Sequence, residues 1–383
     1  MNKIQKTQKI LIVGSGIAGI TLFRLLKDKG FKNIKIIEKN KKLSSEGAAI
    51  CLPFNAVDKV EKIGLKDKLL KLSHQVNKIE YAKHNGKTLT TANLLQKPLN
   101  KQPFLSLLRK DFLNLLSNNY QEYVEYNLYI KKIDLDLSAK KSKVTFSNKK
   151  EEIFDLIIGA DGINSSIRRL TFEEKDLLNL GVINWRFISK TNQQNLHPKY
   201  FIGKDEAFMI YPMSDKKLYC YAQISDKENK YKGSDFNKLK NIFKNYSSEV
   251  KDAISNHTNN KIIEGQLKSV ISREVFSYNT VLIGDALHGC PPTLQQGVAM
   301  ALEDALILSD LLDKSRSIND ALTHFKERRL KRIDWIINES NRVIKLAEKG
   351  KYFLGRIIRN IIVRKSEPTN VVAWKKIADE DSR

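Results

Sequence analysis

The sequence predicts an α/β fold in which a parallel sheet is interrupted by antiparallel segments and is followed by C-terminal helices. Three short apolar runs, at 10–13, 154–158 and 281–283, are each followed by glycine. Such runs are typical of parallel strands that are buried on both faces. Between the last two runs, residues 207–212 and 217–224 show short alternating patterns, which indicate an antiparallel sheet with one solvated face.

Composition limits the class of protein. The 383 residues allow two or three structural units, and the hydrophobic fraction of 41% is enough for a sizeable core. Lys and Arg number 67 against 43 Asp and Glu, which gives a net charge of +24 and favours anionic partners. Because charge informs about encounter rather than fold, we interpret the excess as a generic basic surface. No nucleic-acid partner is expected, since no binding motif for one occurs.

The cysteines and histidines predict neither a disulfide framework nor a metal site. Cys51, Cys220 and Cys290 form no close pair, and the six histidines show no ligand spacing. The apolar stretch 10–20 follows a basic N-terminus, as in a signal peptide, but it contains glycines and is about half as long as a membrane span. We therefore expect a soluble, uncleaved protein of the reducing cytoplasm.

A glycine-rich turn follows the first apolar run and opens a predicted helix. The turn matches the pattern G-x-G-x-x-G, with residues Gly14, Ser15, Gly16, Ile17, Ala18 and Gly19. Its glycines permit the tight turn, the approach of a pyrophosphate and close packing of helix on sheet. Glu38, which ends the next strand and precedes Lys39, is placed to accept hydrogen bonds from ribose hydroxyls and would repel a 2′-phosphate. This Rossmann-like unit predicts a dinucleotide site but does not choose between FAD and NAD.

Two later motifs carry a resemblance that makes this choice. Residues 159–168, GADGINSSIR, resemble the G-A-D-G-x-x-S-x-x-R segment of single-component FAD-dependent aromatic monooxygenases. Residues 284–292, GDALHGCPP, are similar to the G-D-A-A-H-x-x-P-P segment of the same family, and the ALEDA sequence at 301–305 also matches a family pattern. Arg109 takes the arginine position of the family's R-x-D-L stretch. The chain most resembles the salicylate hydroxylase and para-hydroxybenzoate hydroxylase types.

The resemblance implies a Rossmann-like FAD-binding domain interrupted by an antiparallel-sheet substrate domain, with C-terminal helices. The FAD-binding domain is expected at 1–72, 100–175 and 275–315, the substrate domain at 73–99 and 176–274, and the C-terminal helical segment at 316–383. The basic helices of that last segment resemble the family's C-terminal cover. We favour a solvated outer face for them over contact with a membrane.

The resemblance also implies tightly bound FAD and the residues that bind it. Asp285 would bind the ribityl chain, the loop of Asp161 would serve FAD and the nicotinamide, and the helix near Gly297 would stabilise the reduced flavin. The implied cofactor-binding residues are the six of the glycine-rich turn with Glu38, Lys39, Arg109, Asp161, Gly284, Asp285, Pro292 and Gly297. From the residues alone, Asp161 is also a good turn residue, Asp285 a helix cap and Arg109 a solvated side chain.

The reaction that the resemblance implies is hydroxylation of an aromatic or polycyclic small molecule. NAD(P)H, a transient co-substrate, reduces FAD, and O₂ then forms a C4a-hydroperoxide that transfers one oxygen atom. No catalytic side chain is predicted. The pocket is expected where the antiparallel sheet faces the flavin, with Trp185, Arg186, Met209 and Tyr211 as substrate residues. Arg186 would pair with a carboxylate or phenolate, although aromatic residues at such positions also serve as sheet core.

Two other functions stay open on these patterns. One is an FAD-dependent dehydrogenase or reductase that transfers no oxygen, and the other is a non-catalytic flavin-binding module. No motif identifies the substrate or chooses between NADH and NADPH.

Overall fold

The computed structural model describes most of the chain in atomic detail. The described residues are 3–43, 48–136, 138–172, 177–193, 195–258, 262–365 and 367–380. The strands within these ranges are β1 (Ile10–Val13), β2 (Ile34–Glu38), β3 (Ala49–Leu52), β4 (His74–Val76), β5 (Lys78–Lys83), β6 (Thr88–Asn93), β7 (Phe104–Leu108), β8 (Val124–Tyr126), β9 (Ile130–Asp136), β10 (Lys141–Phe146), β11 (Glu151–Phe154), β12 (Leu156–Gly159), β13 (Leu177–Lys190), β14 (Lys199–Ile202), β15 (Glu206–Met213), β16 (Lys217–Ser225), β17 (Ile263–Val270), β18 (Phe276–Ser277) and β19 (Thr280–Leu282).

The α-helices in the same ranges connect and cover these strands. They are α1 (Ile17–Asp28), α2 (Phe54–Lys62), α3 (Lys66–Leu72), α4 (Arg109–Ser117), α5 (Ser166–Thr171), α6 (Phe236–Ile242), α7 (Ser248–Ser255), α8 (Asp285–His288), α9 (Gly297–Lys314), α10 (Ile318–Glu348), α11 (Phe353–Lys365) and α12 (Thr369–Glu380). Within the described residues, no helix is both long enough and apolar enough to cross a membrane.

The first sheet is parallel at its centre and has the strand order β18-β19-β12-β1-β2-β8. β1 pairs in parallel with β2 and β12, and β12 pairs in parallel with β19. Every residue of β1 and β12 is buried, as expected for central strands of a parallel sheet. The carboxyl ends of β1, β12 and β19 therefore lie side by side at one edge, where ligands of open α/β sheets bind.

The second sheet has the strand order β17-β13-β16-β15-β14-β5-β6. Its pairings are antiparallel except that of β14 with β5, which is parallel. β5 and β6 lie far from the other strands in the sequence, so two separate insertions build one sheet. The predicted fold class is confirmed, and the β14–β5 pair is the one departure from the antiparallel pattern within the sheet as described. The domain boundaries stay predictions.

The two faces of the second sheet belong to different hydrophobic cores. Trp185 and Phe208 point to one face and pack in a core with α6 and α7. Tyr200, Met209 and Tyr211 point to the opposite face, here named the inner face, and pack with the core of the first sheet. Because side chains alternate along a strand, β5, β14, β15 and β16 contribute to both cores. The inner face therefore packs in the same core as β1, β12 and β19.

The C-terminal helices pack on other helices and on the second sheet. α9 packs on α1 and α2, and the long α10 packs on α9. α12 returns to the first domain, where the buried indole Nε1 of Trp374 donates to the carbonyl of Leu294 at 2.8 Å. The Trp374 ring also packs against Phe104, with a centroid distance of 5.1 Å. α12 thus covers the loop that leads into α9.

Candidate functional site

Three loops meet at the carboxyl edge of the parallel sheet. The first loop (14–19) follows β1, the second loop (160–165) follows β12, and the third loop (283–290) follows β19. A Cβ atom added to Gly14 would stand 2.5 Å from the carbonyl oxygen of Ala160, which puts the first and second loops in direct contact. Such an approach excludes a side chain at this position.

The third loop contacts both of the others. A Cβ atom added to Gly284 would stand 2.7 Å from the Cβ of Ala18 in the first loop. The buried guanidinium of Arg168 donates to the carbonyl of Ile163 at 2.7 Å in the second loop and to the carbonyl of Ala286 in the third. Arg168 therefore holds the second loop and also joins that loop to the third.

The glycines of the first loop have different roles. Gly14 has a φ of +102°, which favours glycine, and a Cβ on Gly19 would collide with the carbonyl oxygen of Gly14. Gly16 has an ordinary φ of −69°, and apart from its two chain neighbours no described residue has an atom within 4 Å of a Cβ added to it. No side chain caps α1, which begins at Ile17, and no acidic residue lies in its first turn. An open volume thus adjoins a helix N-terminus that attracts anions.

Glu38 is fixed beside the first loop by hydrogen bonds. The backbone N–H and the hydroxyl of Ser15 donate to its Oε2 at 3.1 and 3.2 Å, and the Asn40 backbone N–H donates to its Oε1 at 3.0 Å. Glu38 is buried, whereas the adjacent Lys39 is exposed. The side-chain amide of Asn40 also donates to Oε1, at 2.8 Å. Because each carboxylate oxygen has two lone pairs, these four donors occupy Glu38, and a ligand hydroxyl would have to replace one of them.

The carboxylate of Asp161 is engaged within its own loop. It accepts from the hydroxyl of Ser165 at 2.5 Å, from the backbone N–H and hydroxyl of Ser166 at 2.6 and 2.8 Å, and from the N–H of Ile167 at 3.2 Å. Asp161 therefore shapes the second loop and the start of α5, which is the turn role that sequence analysis left open. These hydrogen bonds account for the position of the carboxylate without a contact to the cofactor. The contribution of this loop to cofactor binding stays a prediction.

Arg109 lies at the start of α4, directly after β7, and is half-buried. Leu108, the residue before it, pairs with Ala49 of β3. Arg109 is thus placed on the side of the site where β3 begins. Its predicted contact with the cofactor stays a prediction.

The third loop and the start of α9 present a carboxylate and a second helix N-terminus together. Asp285 is exposed, and its Oδ1 would lie 3.8 Å from a Cβ added to Gly297. No side chain caps α9, and its first turn contains no acidic residue. Pro292, also exposed, opens a short 3₁₀ helix that leads into α9. The predicted residues at 284–297 are therefore gathered at one end of α9.

A buried carboxylate behind the third loop was missed by sequence analysis. Asp304 accepts from the backbone N–H of Gly284 at 2.8 Å, binds His288 Nε2 at 2.9 Å and accepts from Arg329 Nε at 2.6 Å. Burial opposes ionisation of Asp304, but the charge of Arg329, the His288 ring and the Gly284 N–H outweigh it and lower the pKa of the carboxyl. Glu303 also pairs with Arg329 Nη1, at 2.9 Å.

The residues of this network stand in a recognisable sequence segment, but the sequence does not indicate that they pair. Sequence analysis noted the ALEDA segment at 301–305 and assigned no role to Asp304. A charged residue on a helical pattern is ordinarily solvated, and its partner Arg329 lies 25 residues further along the chain. Only the packing of α10 on α9 brings the two groups together.

Hydrogen bonds to two tyrosines connect the inner face of the second sheet to the loop before α9. The hydroxyls of Tyr200 and Tyr211 hydrogen-bond to each other, and Gln295 Nε2 donates to them at 2.8 and 2.7 Å. Tyr81 stacks on Tyr200 with a centroid distance of 4.9 Å. Burial raises the pKa of Tyr200 and Tyr211 well above the usual tyrosine value, so both hydroxyls stay protonated.

Two further predicted substrate residues lie on the inner face. Met209 is half-buried there beside the tyrosines. Arg186 lies close enough to Tyr219 and Tyr221 to offset part of the rise that burial causes in their pKa. Its Nε is buried without a hydrogen-bond partner, and no carboxylate of the described chain forms an ion pair with Arg186. A cation with this unused donor is suited to bind an anionic group.

Trp185 does not lie on the inner face, which corrects the predicted set of substrate residues. Its indole is fully buried in the outer core, where Nε1 faces Glu264 Oε2 at 3.3 Å and the ring meets Tyr231 edge-on. Successive residues of a strand point to opposite faces, so Trp185 and Arg186 cannot both line one pocket. Trp185 is therefore a core residue of the second sheet.

The cysteines near the site are unreactive by their surroundings. Burial raises the pKa of Cys290 to about 12, and burial also raises the pKa of Cys51, which lies beside Tyr211. Thiols with such pKa values are not ionised at neutral pH and are poor nucleophiles. In the chain as described, no cluster of three or more His, Cys, Asp or Glu side chains is arranged to hold a metal ion.

Comparison with known sequences identifies the family. The profile of the FAD binding domain family matches residues 7–334. The chain belongs to the FAD binding domain family. The 2-heptyl-3-hydroxy-4(1H)-quinolone synthase of Pseudomonas aeruginosa is 26% identical to it over 342 residues, which cover 86% of this chain and 87% of that protein. The predicted family is confirmed.

Solved structures show the same fold. Klebsiella pneumoniae HpxO complexed with FAD and uric acid superposes with a TM-score of 0.86 at 19% identity, over 97% of this chain and 96% of that chain. A salicylate hydroxylase substrate complex superposes with a TM-score of 0.79 at 17% identity, over 97% of this chain and 98% of that chain.

The residues at the three loops fit FAD. The open volume at Gly16 and the uncapped start of α1 suit the pyrophosphate, and Glu38 suits the ribose of the adenosine half. Asp285 suits the hydroxylated ribityl chain, and the uncapped N-terminus of α9 at Gly297 suits the electron-rich edge of the reduced flavin. Bound FAD would supply redox chemistry that none of these side chains has.

Replacing Gly16 by valine is expected to remove FAD binding without unfolding the protein. The new side chain would enter the open volume, and the φ of −69° is one that valine adopts without strain. We expect FAD affinity to fall at least about tenfold while the free energy of unfolding of the flavin-free protein changes by less than about 1 kcal/mol. Flavin fluorescence titration and urea unfolding measure the two quantities.

The control for this variant is Gly14→Val, which places a side chain against Ala160 at a φ of +102° and should destabilise the fold itself. If Gly16→Val bound FAD as tightly as the unchanged protein, the pyrophosphate would have to lie elsewhere.

Replacing Asp304 by asparagine is expected to destabilise both the fold and FAD binding. The change leaves Arg329 buried beside Glu303 alone, and removal of one partner of a buried ion pair costs about 3–5 kcal/mol. Asp310→Asn is a matched control on the same helix, because Asp310 is half exposed in its pair with Lys29 and should cost less than about 1 kcal/mol. Urea unfolding and flavin content after purification measure the effects. Equal losses in the two variants would contradict this role of Asp304.

Proposed function

We propose that this chain is an FAD-dependent monooxygenase that uses NAD(P)H and O₂ to hydroxylate a small aromatic or polycyclic compound. The observation that carries the proposal is the position of Arg186 on the inner face, where no acidic residue of the described chain pairs with it, in a protein of the FAD binding domain family. The inner face is fastened by Gln295 to the loop that leads into α9. Substrate bound against this face would therefore lie beside the flavin end of the FAD site.

The proposed reaction balances with four reactants. NAD(P)H supplies two electrons, one oxygen atom of O₂ enters the product as a hydroxyl group, and the second leaves as water after uptake of a proton. The chain contributes binding, orientation and exclusion of water rather than a covalent step of its own.

The side chains of the inner face suit a planar ligand with an anionic oxygen. Arg186 supplies the charge, and Met209 supplies a polarizable apolar contact. Burial keeps Tyr219 protonated at neutral pH, so it can donate a hydrogen bond to such a ligand but cannot act as a base. Tyr211 also stays protonated, and its hydroxyl is hydrogen-bonded to that of Tyr200.

The relatives favour the same class of substrate. One solved structure of this fold holds uric acid together with FAD, and another is a salicylate hydroxylase substrate complex. Urate and salicylate are both planar and both carry a negative charge at neutral pH. We therefore propose for this chain a planar aromatic compound that carries a carboxylate, phenolate or comparable anionic oxygen next to its reactive carbon.

The decisive test is oxygen incorporation by the purified, FAD-loaded protein. Aromatic acids, purines and tetracyclines are screened for stimulated oxidation of NADH and NADPH, and each active compound is then incubated under ¹⁸O₂. A product carrying one labelled oxygen atom is expected. Stimulated oxidation that yields only hydrogen peroxide, or oxidation under anaerobic conditions with the compound as electron acceptor, would contradict the proposal and favour an oxidase or a reductase.

Replacing Arg186 by methionine is expected to weaken substrate binding while FAD stays bound. Loss of a hydrogen-bonded charge partner costs about 1.5–3 kcal/mol, so KM should rise about 10–100-fold. Lys190→Met is a matched control, because Lys190 is an exposed cation on the same strand. Steady-state kinetics measure the effect for the substrate found above. An unchanged KM in Arg186→Met would show that the anion is bound elsewhere.

A further inference from the structure

Helix α11 turns its apolar side chains outward. Phe353, Leu354 and Ile358 expose 68%, 71% and 59% of their surface, and Ile361 exposes 48%. The exposed apolar residues, here named the α11 patch, recur at intervals that put them on one face of the helix. They are Phe353, Leu354, Ile357, Ile358, Ile361 and Ile362, preceded by the exposed Tyr352. A surface helix of a globular protein ordinarily turns such a face to the core.

The opposite face of α11 holds the helix to the protein through an arginine. Arg359 and Val363, one turn apart, are its buried residues. The guanidinium of Arg359 donates to the carbonyl of Gly203 at 2.6 Å and to that of Lys204 at 3.3 Å, which lie in the turn between β14 and β15. The outward direction of the patch is therefore fixed by a buried hydrogen-bonded anchor, and rotating the helix to bury the patch would break those bonds.

The charged residues within the segment that carries the α11 patch are all basic. The segment 349–365 contains no acidic residue and six basic ones: Lys349, Lys351, Arg356, Arg359, Arg364 and Lys365. Arg359 serves as the anchor, and the others lie next to the apolar residues in the sequence. An apolar face bordered by Lys and Arg matches the surface of a membrane that contains anionic phospholipids.

The length of α11 favours a position in the plane of a membrane surface. Its 13 residues span roughly 20 Å at 1.5 Å per residue, which is shorter than the hydrocarbon core of about 30 Å. A helix of this kind lies at the boundary of headgroups and acyl chains with its apolar face buried.

We propose that α11 docks this protein reversibly on anionic phospholipid surfaces, with the α11 patch inserted among the acyl chains. A second copy of the chain is the other occupant that an apolar face could take. Charge disfavours it, because each chain carries a net charge of +24 and two patches would bring their basic borders together. The docking proposal uses the outer surface of α11 and does not depend on the proposed function.

The docking helix is connected to the wall of the candidate site. α12 begins shortly after α11, and the hydroxyl of Tyr81 and the amide of Asn370 on α12 hydrogen-bond to each other. Tyr81 in turn stacks on Tyr200 of the inner face.

The sequence analysis predicts that all the C-terminal helices act as a cover with a solvated outer face. α12 covers the protein in this way, whereas α11 exposes its apolar face.

The test is co-sedimentation of the full-length, FAD-loaded protein with vesicles. Vesicles of phosphatidylcholine alone are compared with vesicles that also contain phosphatidylglycerol, at low and high salt. Binding is expected to the phosphatidylglycerol vesicles and to weaken at high salt. Absence of binding to phosphatidylglycerol vesicles at low salt would overturn the proposal, as would equal binding to both kinds of vesicle.

Two variants separate the apolar contribution from charge. Leu354→Ser/Ile358→Ser removes two exposed side chains of the patch and should weaken binding at least about tenfold. Leu72→Ser/Ile153→Ser is the matched control, because it removes exposed apolar side chains elsewhere and should leave binding unchanged. Flavin content and thermal unfolding should be the same in both variants, since all four residues are exposed.

Sedimentation velocity without vesicles distinguishes the other occupant. We expect the unchanged protein to be either a monomer or an oligomer that stays assembled in the Leu354→Ser/Ile358→Ser variant. An oligomer that this variant dissociates would assign the α11 patch to contact between copies of the chain and would overturn membrane docking.

Discussion

The carboxylate of Asp304 connects the third loop of the site to the helices behind it. It lies in a fully buried position, where an ion is stable only if charges and hydrogen bonds replace water. Arg329 supplies the charge from α10, while the N–H of Gly284 supplies a hydrogen bond from the loop. The backbone that carries Asp285 is therefore positioned by the packing of α10 on α9, far along the chain from the motif that it serves.

The first and second loops are also positioned by close backbone approach, in addition to the bonds that Arg168 makes. Gly14 and Ala160 approach too closely for a side chain, and so do Gly284 and Ala18. Such contacts leave little freedom, because protein interiors do not yield to added volume. Gly16 is the exception, since its surroundings are open. Within the motif, Gly14 and Gly19 therefore satisfy close contacts of the fold, whereas Gly16 leaves an open volume.

Sequence patterns predict the local elements well and the tertiary contacts poorly. The run before Gly14 and the turn after it are determined by neighbouring residues, so the parallel sheet and the family could be predicted. The pairing of Asp304 with Arg329 depends on how two helices cross, and no periodicity encodes it. The resemblance to the family predicts both Trp185 and Arg186 as substrate residues. The pleat of the strand sends these neighbours to opposite faces.

Arg359, which is buried, and Arg186, which is half-buried, show how the structure separates architecture from ligand binding. Arg359 donates to two backbone carbonyls and so holds α11 in place with its apolar face exposed. Arg186 is held among tyrosines, and its buried Nε has no acceptor in the described chain. The buried Nε of Arg359 also has no acceptor in the described chain, so the two residues differ in their Nη groups, which backbone carbonyls hold only in Arg359. A guanidinium that the protein holds in this way supports the fold, whereas one that it does not hold gains stability when a ligand supplies the acceptor. The exposed α11 patch resembles Arg186 in this respect, because its apolar side chains cost free energy while they face water. We expect each of the two surfaces to become more stable when its proposed ligand binds.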